Sequence, residues 1–226
     1  MNGKKFCFLI VTNKEEYYNE CVYYISNLKV PEGYVMECVP VTNATGMASG
    51  YNAAMQVTDA KYKVFIHQDV FILNRHFLGD LLKIFDSDPQ IGMVGVTGIQ
   101  KLPKDMMLWG APRVGALYNS GTGKTDYEHY SYELSDGMDE VECVDGLLMA
   151  TTAELKWRAD LFDGWDLYDA SQSCELRRKG YKLVVPVQKQ PWVFHDKAIS
   201  AVWNYNKYRK IFLKEYAAEL EDAEQK

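Results

Sequence analysis

His67, Gln68 and Asp69 have the residue types and spacing that do chemistry. They follow directly on the apolar run Val64-Phe65-Ile66, so they stand at the end of a buried strand. In open sheets covered by helices, ligands bind at the carboxyl ends of parallel strands. An imidazole and a carboxylate two residues apart at such an end can hold a divalent cation and, through it, a diphosphate. A carboxylate oxygen suits Mg2+ or Mn2+. The competing reading is a polar strand end that only caps its neighbours, and the triplet alone leaves both open.

Three acids, Asp163, Asp166 and Asp169, alternate with aromatics in Phe162-Asp163-Gly164-Trp165-Asp166-Leu167-Tyr168-Asp169. Partial burial against Trp165 or Tyr168 would raise the pKa of one of them and suit it to act as a general base. The alternative is plainer: Asp169 caps the helix that follows. His195-Asp196 closes the run Pro191-Trp192-Val193-Phe194. A lone histidine after an apolar run is more often structural than a ligand. His76 and His129 have no partner pattern and read as surface or loop residues.

The elements that must position these groups alternate in type. Phe6–Val11 reads as a strand buried on both faces and ends at Thr12-Asn13. Tyr18, Cys21, Val22, Ile25 and Leu28 fall at helical spacing behind the acids Glu15 and Glu16. Strands are expected at Val35–Val41, Tyr62–Ile66 and Ile91–Val96, with helices at Ser49–Val57 and around Leu78–Phe85. Such alternation implies an α/β fold with a mainly parallel sheet. The pattern breaks in the Gly-, Asp-, Tyr- and Ser-rich segment 98–140, whose Trp109 and tyrosines point to an ordered excursion. Beyond it come a strand at Val141–Ala150 containing Asp145-Gly146, a helix at Ser171–Lys179 and a strand at Tyr181–Val185. A long helix at 198–222 follows. A single domain over residues 1–226 is the expectation.

Composition narrows the function. The chain has 226 residues, 25 Lys+Arg against 31 Asp+Glu, and a formal charge of −6, which argues against duplex nucleic acid as partner. Cys7, Cys21, Cys38, Cys143 and Cys174 form no CxxC pair, so neither a zinc ribbon nor a thioredoxin-type site is suggested, and a reducing cytoplasm is expected. Gly121-Thr122-Gly123-Lys124-Thr125 imitates a phosphate-binding loop. Tyr118 stands where the full pattern needs glycine. Gly92, Gly95 and Gly98 do not make a dinucleotide fingerprint, and a serine-hydrolase elbow is lacking.

In order, Val11-Thr12-Asn13, Ile66-His67-Gln68-Asp69, Val144-Asp145-Gly146-Leu147, the Asp163–Asp169 segment, Arg177-Arg178-Lys179-Gly180-Tyr181 and His195 resemble a nucleotide-sugar glycosyltransferase of the GT-A (Rossmann-like) fold. The likeness runs from about Phe6 to about Tyr216. It is nearest to a small bacterial branch related to glycosyltransferase family 2, which includes streptomycin-biosynthesis-like proteins. The resemblance implies that Thr12, Asn13, Glu15 and Asn52 lie near the nucleoside, and that His67, Gln68 and Asp69 stand in place of an Asp-x-Asp motif. It implies Asp69 and His195 as metal ligands, Asp145 and Gly146 beside the donor sugar and acceptor, and Asp169 as catalytic base with Asp166 as rival. Here His67 replaces the first Asp of the motif, and Tyr168 replaces the Glu that precedes Asp169 in the family.

The activity so implied is metal-dependent, inverting transfer of a hexose from a nucleoside-diphosphate sugar, with a UDP-sugar as first expectation and Mn2+ or Mg2+ as cofactor. The acceptor would be a glycan or glycoconjugate of bacterial polysaccharide biosynthesis, met in the cytoplasm or at the inner face of the membrane. Segment 98–140 would shape the acceptor side. Two alternatives stand beside it. A nucleotidyltransferase would carry a Gly-rich loop after the first strand, where Thr12-Asn13-Lys14-Glu15-Glu16 has no glycine. A GT-A fold that has lost its chemistry, with His67 as the sign, would act as a binding module. In that case Trp203, Tyr205, Lys207, Tyr208, Arg209, Lys210 and Phe212 offer a face for a membrane or a second subunit; an ordinary helix packed on the domain is the reading preferred here.

Overall fold

The structure, a computed structural model, describes residues 1–120, 126–129, 137–196 and 204–221. Strand β1 (Asn2–Val11) forms as its apolar run demands, and both of its faces are buried. Cys7, Leu9 and Val11 point into one core cluster and Phe6, Phe8 and Ile10 into the other, the period of two that a pleated strand imposes. Then come α1 (Glu15–Ser26), with Glu15 and Glu16 in its first turn, β2 (Val35–Val41), α2 (Met47–Met55) and β3 (Ala60–His67). They are followed by β4 (Val70–Ile72), α3 (Phe77–Ser87) and β5 (Ile91–Gly95). The middle of the chain supplies β6 (Thr97–Ile99), β7 (Arg113–Asn119), β8 (Asp126–His129), β9 (Met138–Glu140), β10 (Cys143–Val144) and β11 (Leu148–Thr151). The last part holds α4 (Tyr168–Arg178), β12 (Lys182–Pro186), β13 (Val193–His195), α5 (Tyr205–Glu215) and α6 (Ala217–Glu221).

Among the described residues the strands form two sheets. The larger has the order β2-β1-β3-β11-β5-β12-β9. β1 runs parallel to β2 and β3, β12 runs parallel to β5, and β11 lies antiparallel between β3 and β5. The smaller has the order β10-β6-β7-β13-β4, with β8 on β7. The GT-A expectation of a mixed sheet with helices is met.

Three local expectations are corrected. Val141–Ala150 is not one strand. Cys143–Val144 pairs with β6 in the smaller sheet, whereas Leu148–Thr151 pairs in the larger one. Asp145-Gly146 is the crossing between them: the Asp145 Oδ1 accepts the Leu147 N–H at 3.2 Å, an Asx turn that ends the first pairing. The described residues of segment 98–140 are less irregular than their sequence suggests: β6, β7 and β8 pair side by side, and β7 and β9 reach on to β13 and β12, in strands too short to show an alternation. The phosphate-loop imitation at 121–125 lies outside the described residues.

The third correction concerns the end of the chain. Residues 198–203, Trp203 included, and residue 222 lie outside the described residues, and the helix seen is α5 followed by α6. Tyr205, Tyr208, Phe212 and Tyr216 are buried. Phe212 and Tyr216 pack on Phe162, with ring centroids 6.2 and 6.4 Å apart. The Tyr216 hydroxyl reaches Ser171 at 2.7 Å, and Arg158 and Arg178 both reach Glu215. The aromatic side of α5 is therefore used by the domain core. No described helix is long and apolar enough to cross a membrane. Phe212→Ala should cost about 3–5 kcal/mol of stability, read as a lowered midpoint in urea denaturation. An unchanged midpoint would put α5 outside the core.

Candidate functional site

The site forms where the ends of β1 and β3 meet the start of α4. A cleft of about 910 Å3 opens there, lined among others by Thr12, Asn13, Glu15, His67, Gln68 and Asp69. Gln68 holds its floor. Its Oε1 accepts the Thr12 hydroxyl at 2.7 Å and the Asn13 and Lys14 N–H groups at 3.2 and 3.1 Å. Its Nε2 donates to Asn13 Oδ1 at 2.7 Å. One side-chain amide thus ties the end of β3 to the end of β1 and sets the loop that enters α1.

His67 is the last residue of β3, and its N–H donates to the Leu147 carbonyl at 3.0 Å. His195 arrives from a remote part of the chain. β13 pairs antiparallel with β4, so His195 lies opposite Val70 and its Nε2 is 3.7 Å from Asp69 Oδ1. One ligand atom each from His67, Asp69 and His195 lies within 4.8 Å of the others. Burial pushes the Asp69 carboxyl up, but the His195 and His67 imidazoles outweigh it and hold the group below its ordinary value. Two imidazole nitrogens and one carboxylate oxygen are a donor set that fits a divalent metal. His67, read as the lost ligand of the Asp-x-Asp motif, stands in the cluster as a third donor.

Asp169 sits in the first turn of α4, but it is not the helix cap. The N-cap position is Leu167, at φ 58°, and no side chain caps the helix. The Asp169 carboxylate accepts the Gly146 N–H at 3.0 Å and the Ala170 N–H at 2.9 Å. Burial pushes it up and the nearby Asp145 charge adds to this; the two N–H groups oppose them, and the pKa is raised to about 6. Burial pushes the Asp145 carboxyl up, but Arg113 at 2.9 Å, with the Leu147 N–H and His195, outweighs it and keeps Asp145 below the ordinary carboxylate value. Asp166 lies in the loop before α4, and burial raises its carboxyl. Asp163 is structural: it accepts the Tyr208 hydroxyl at 2.6 Å and pairs with Lys207.

Not every predicted residue lines the cleft. Asn52 turns away from it: its amide donates to the Trp157 carbonyl and accepts the Trp157 N–H, each at 2.9 Å. Asp145, Gly146, Asp169 and His195 stand next to the cleft rather than on its wall, joined to it through Tyr168 and Asp69. Arg113 carries no role in the sequence and no local signal marks it, since its partner Asp145 lies 32 residues further on, in the crossing between β10 and β11. Tyr168 is expected there only to bury a neighbouring acid and to replace the family's Glu, with no link to His67. The Tyr168 hydroxyl lies 2.6 Å from His67 Nε2, and Tyr168 lines the cleft with the half-exposed Trp165.

The fold is shared with solved structures of low identity. Residues 1–349 of TarS from S. aureus, solved with UDP, align with TM-score 0.57 at 13% identity over 93% of this chain and 65% of that one. The mannosyltransferase PcManGT from Pyrobaculum calidifontis, solved with GDP-Man and Mn2+, gives 0.56 at 15% over 97% and 64%. A mutant of Drosophila β-1,4-galactosyltransferase 7, solved with manganese, UDP-Gal and xylobiose, gives 0.50 at 13% over 90% and 73%. The chain thus spans less than two thirds of the length of the first two. These likenesses establish the class by its fold, GT-A. The sequence itself matches the glycosyltransferase-like family over residues 7–216, and the chain belongs to that family. No curated protein sequence matches it significantly.

The electrostatic coupling between Asp145 and Asp169 is directly testable. Asp145→Asn removes a like charge and leaves Arg113 uncompensated, and both changes favour the ionised Asp169. Its titration midpoint, followed by carboxyl 13C shifts, should fall below about 6. An unchanged midpoint would leave burial as the whole cause.

Proposed function

We propose that the protein is a metal-dependent, inverting hexosyltransferase. It moves a sugar from a nucleoside diphosphate, UDP first among the candidates, to a hydroxyl of a glycan or glycoconjugate acceptor. The reading is carried by one juxtaposition: three cation donors at the edge of a cleft, and a carboxylate of raised pKa joined to them through Tyr168. The UDP of the TarS structure and the GDP-Man and Mn2+ of the PcManGT structure support it.

In this reading Thr12, Asn13 and Glu15 take the nucleoside end, on the loop that Gln68 holds. His67, Asp69 and His195 hold the divalent cation, which when bound neutralises charge on the departing diphosphate. The Gly146 N–H orients Asp169. Asp169 accepts the proton of the acceptor hydroxyl as that oxygen attacks the anomeric carbon from the face opposite the leaving group, so the configuration inverts. A base of pKa about 6 is ionised at neutral pH yet retains proton affinity. Asp166 is the second candidate for this role. Within the family, the reading keeps the small bacterial branch and work on polysaccharide at the inner membrane face.

The geometry weighs against the binding-module alternative, since His67, its sign of lost chemistry, offers a donor atom alongside Asp69 and His195. The nucleotidyltransferase alternative predicts pyrophosphate as product, whereas sugar transfer releases a nucleoside diphosphate. Calorimetric titration of UDP with Mn2+ should show binding that EDTA removes; GDP and dTDP follow if UDP fails, and silence from all three sinks the reading. Asp169→Asn should lose about 10²–10⁴ in turnover while still binding the nucleotide. Retained turnover there, with loss in Asp166→Asn, would move the base to Asp166. Because the base must be deprotonated, kcat/KM should climb with pH through about 6 and level off above it. A rate that is flat across that window would remove Asp169 from the proton transfer.

A further inference from the structure

The cation cluster carries one more inference, which rests on the donor-site reading above. His67 and His195 bring imidazole nitrogens to the single carboxylate of Asp69. Mg2+ is a hard ion that prefers oxygen ligands and gives up water reluctantly. Imidazole suits transition-metal dications, and two histidines with one carboxylate form a donor set typical of them. The identity of residue 67 therefore sets the softness of the site.

The His67 ring is held in a defined orientation. Its Nε2 is 2.6 Å from the hydroxyl of Tyr168, which is 5% exposed. The Tyr168 ring packs against Tyr51 and Trp157, with centroids 6.1 and 6.0 Å apart. Gly146 makes room for the hydroxyl, since a Cβ there would lie 2.2 Å from it. Leu167, at φ 58°, takes the left-handed turn that starts α4 at Tyr168. Metal-ligating histidines commonly keep their other ring nitrogen in a hydrogen bond to an outer partner, and losing that partner typically costs ~10–100-fold in metal affinity.

We propose that Tyr168 is a positioning residue for the cation site: it holds His67 through Nε2 so that Nδ1 completes a two-imidazole site that selects a transition-metal dication over Mg2+. The residue that replaces a carboxylate before Asp169 thus serves the residue that replaces a carboxylate before Asp69. The same helix turn then carries both the orienter of a metal ligand and the candidate base.

The test uses the full chain and metals alone. Calorimetry with MnCl2, CoCl2, ZnCl2 and MgCl2 should show Mg2+ binding at least about ten-fold more weakly than Zn2+. His67→Asp should narrow or reverse that gap. Tyr168→Phe, which keeps the ring packing, should weaken Mn2+ binding by about 10–100-fold and shift the visible absorption of the Co2+-loaded protein, with an unchanged far-UV circular dichroism spectrum. Equal affinity for Mg2+ and Zn2+, no binding of any of the four metals, or a folded Tyr168→Phe with wild-type Mn2+ affinity and Co2+ spectrum overturns the proposal. Should Tyr168→Phe not fold, Tyr168→His, which can still donate a hydrogen bond to His67, is compared with Tyr168→Leu, and equal Mn2+ affinity in the two overturns it. Metal-dependent binding of UDP would keep the donor-site reading alive even then. The converse result, selective metal binding with no nucleoside diphosphate bound, supports the cation site and removes the donor-site reading instead.

Discussion

β13 lies antiparallel on β4, with His195 opposite Val70, and the candidate site is assembled by this pairing. Asp69 immediately precedes β4, so three residues of strand pairing bring an imidazole from the far part of the chain to 3.7 Å from its carboxylate. The Asp196 N–H also donates to the Asp69 carbonyl at 2.8 Å, which fixes the backbone that carries the carboxylate. With that edge in place, His67 at the end of β3 joins Asp69 and His195 through the β3–β4 turn, and Tyr168 at the start of α4 reaches His67 from across the fold. A slip of one residue in this register would turn His195 to the other face.

The carboxylates near the site differ in proton affinity for separable reasons. Asp69 faces imidazoles and Asp145 faces a guanidinium, and in each the opposite charges together with backbone N–H groups outweigh burial. Asp169 meets only backbone N–H groups and a like charge, so burial prevails. Residues of one type thereby come to differ in charge and proton affinity without any difference in side chain. Arg113 is part of this division, because it keeps Asp145 ionised and so maintains the charge that Asp169 feels.

The C-terminal helix illustrates how one composition admits two readings. Basic residues interleaved with aromatics describe a membrane-facing helix and a packed one equally well. The structure turns Tyr208, Phe212 and Tyr216 inward on Phe162, and the Asp163–Tyr208 hydrogen bond ties the loop of the three acids to α5. The loop that precedes the candidate base is thus braced by the end of the chain.

The sequence by itself determined the strand–helix alternation, the burial of β1 on both faces and the placement of His67 and Asp69 at a strand end. Each of these is a local consequence of hydrophobic period and of where an apolar run stops. It also marked Asp169, through the segment before α4. Only the tertiary structure decided that Val141–Ala150 divides between two sheets at Asp145, that Asn52 braces Trp157 rather than lining the cleft, and that Gln68 clamps the end of β1. It alone joined Arg113 to Asp145 and Tyr168 to His67. These are contacts between residues far apart in the chain, and short strands paired at long range leave no periodic trace in the sequence from which they can be read.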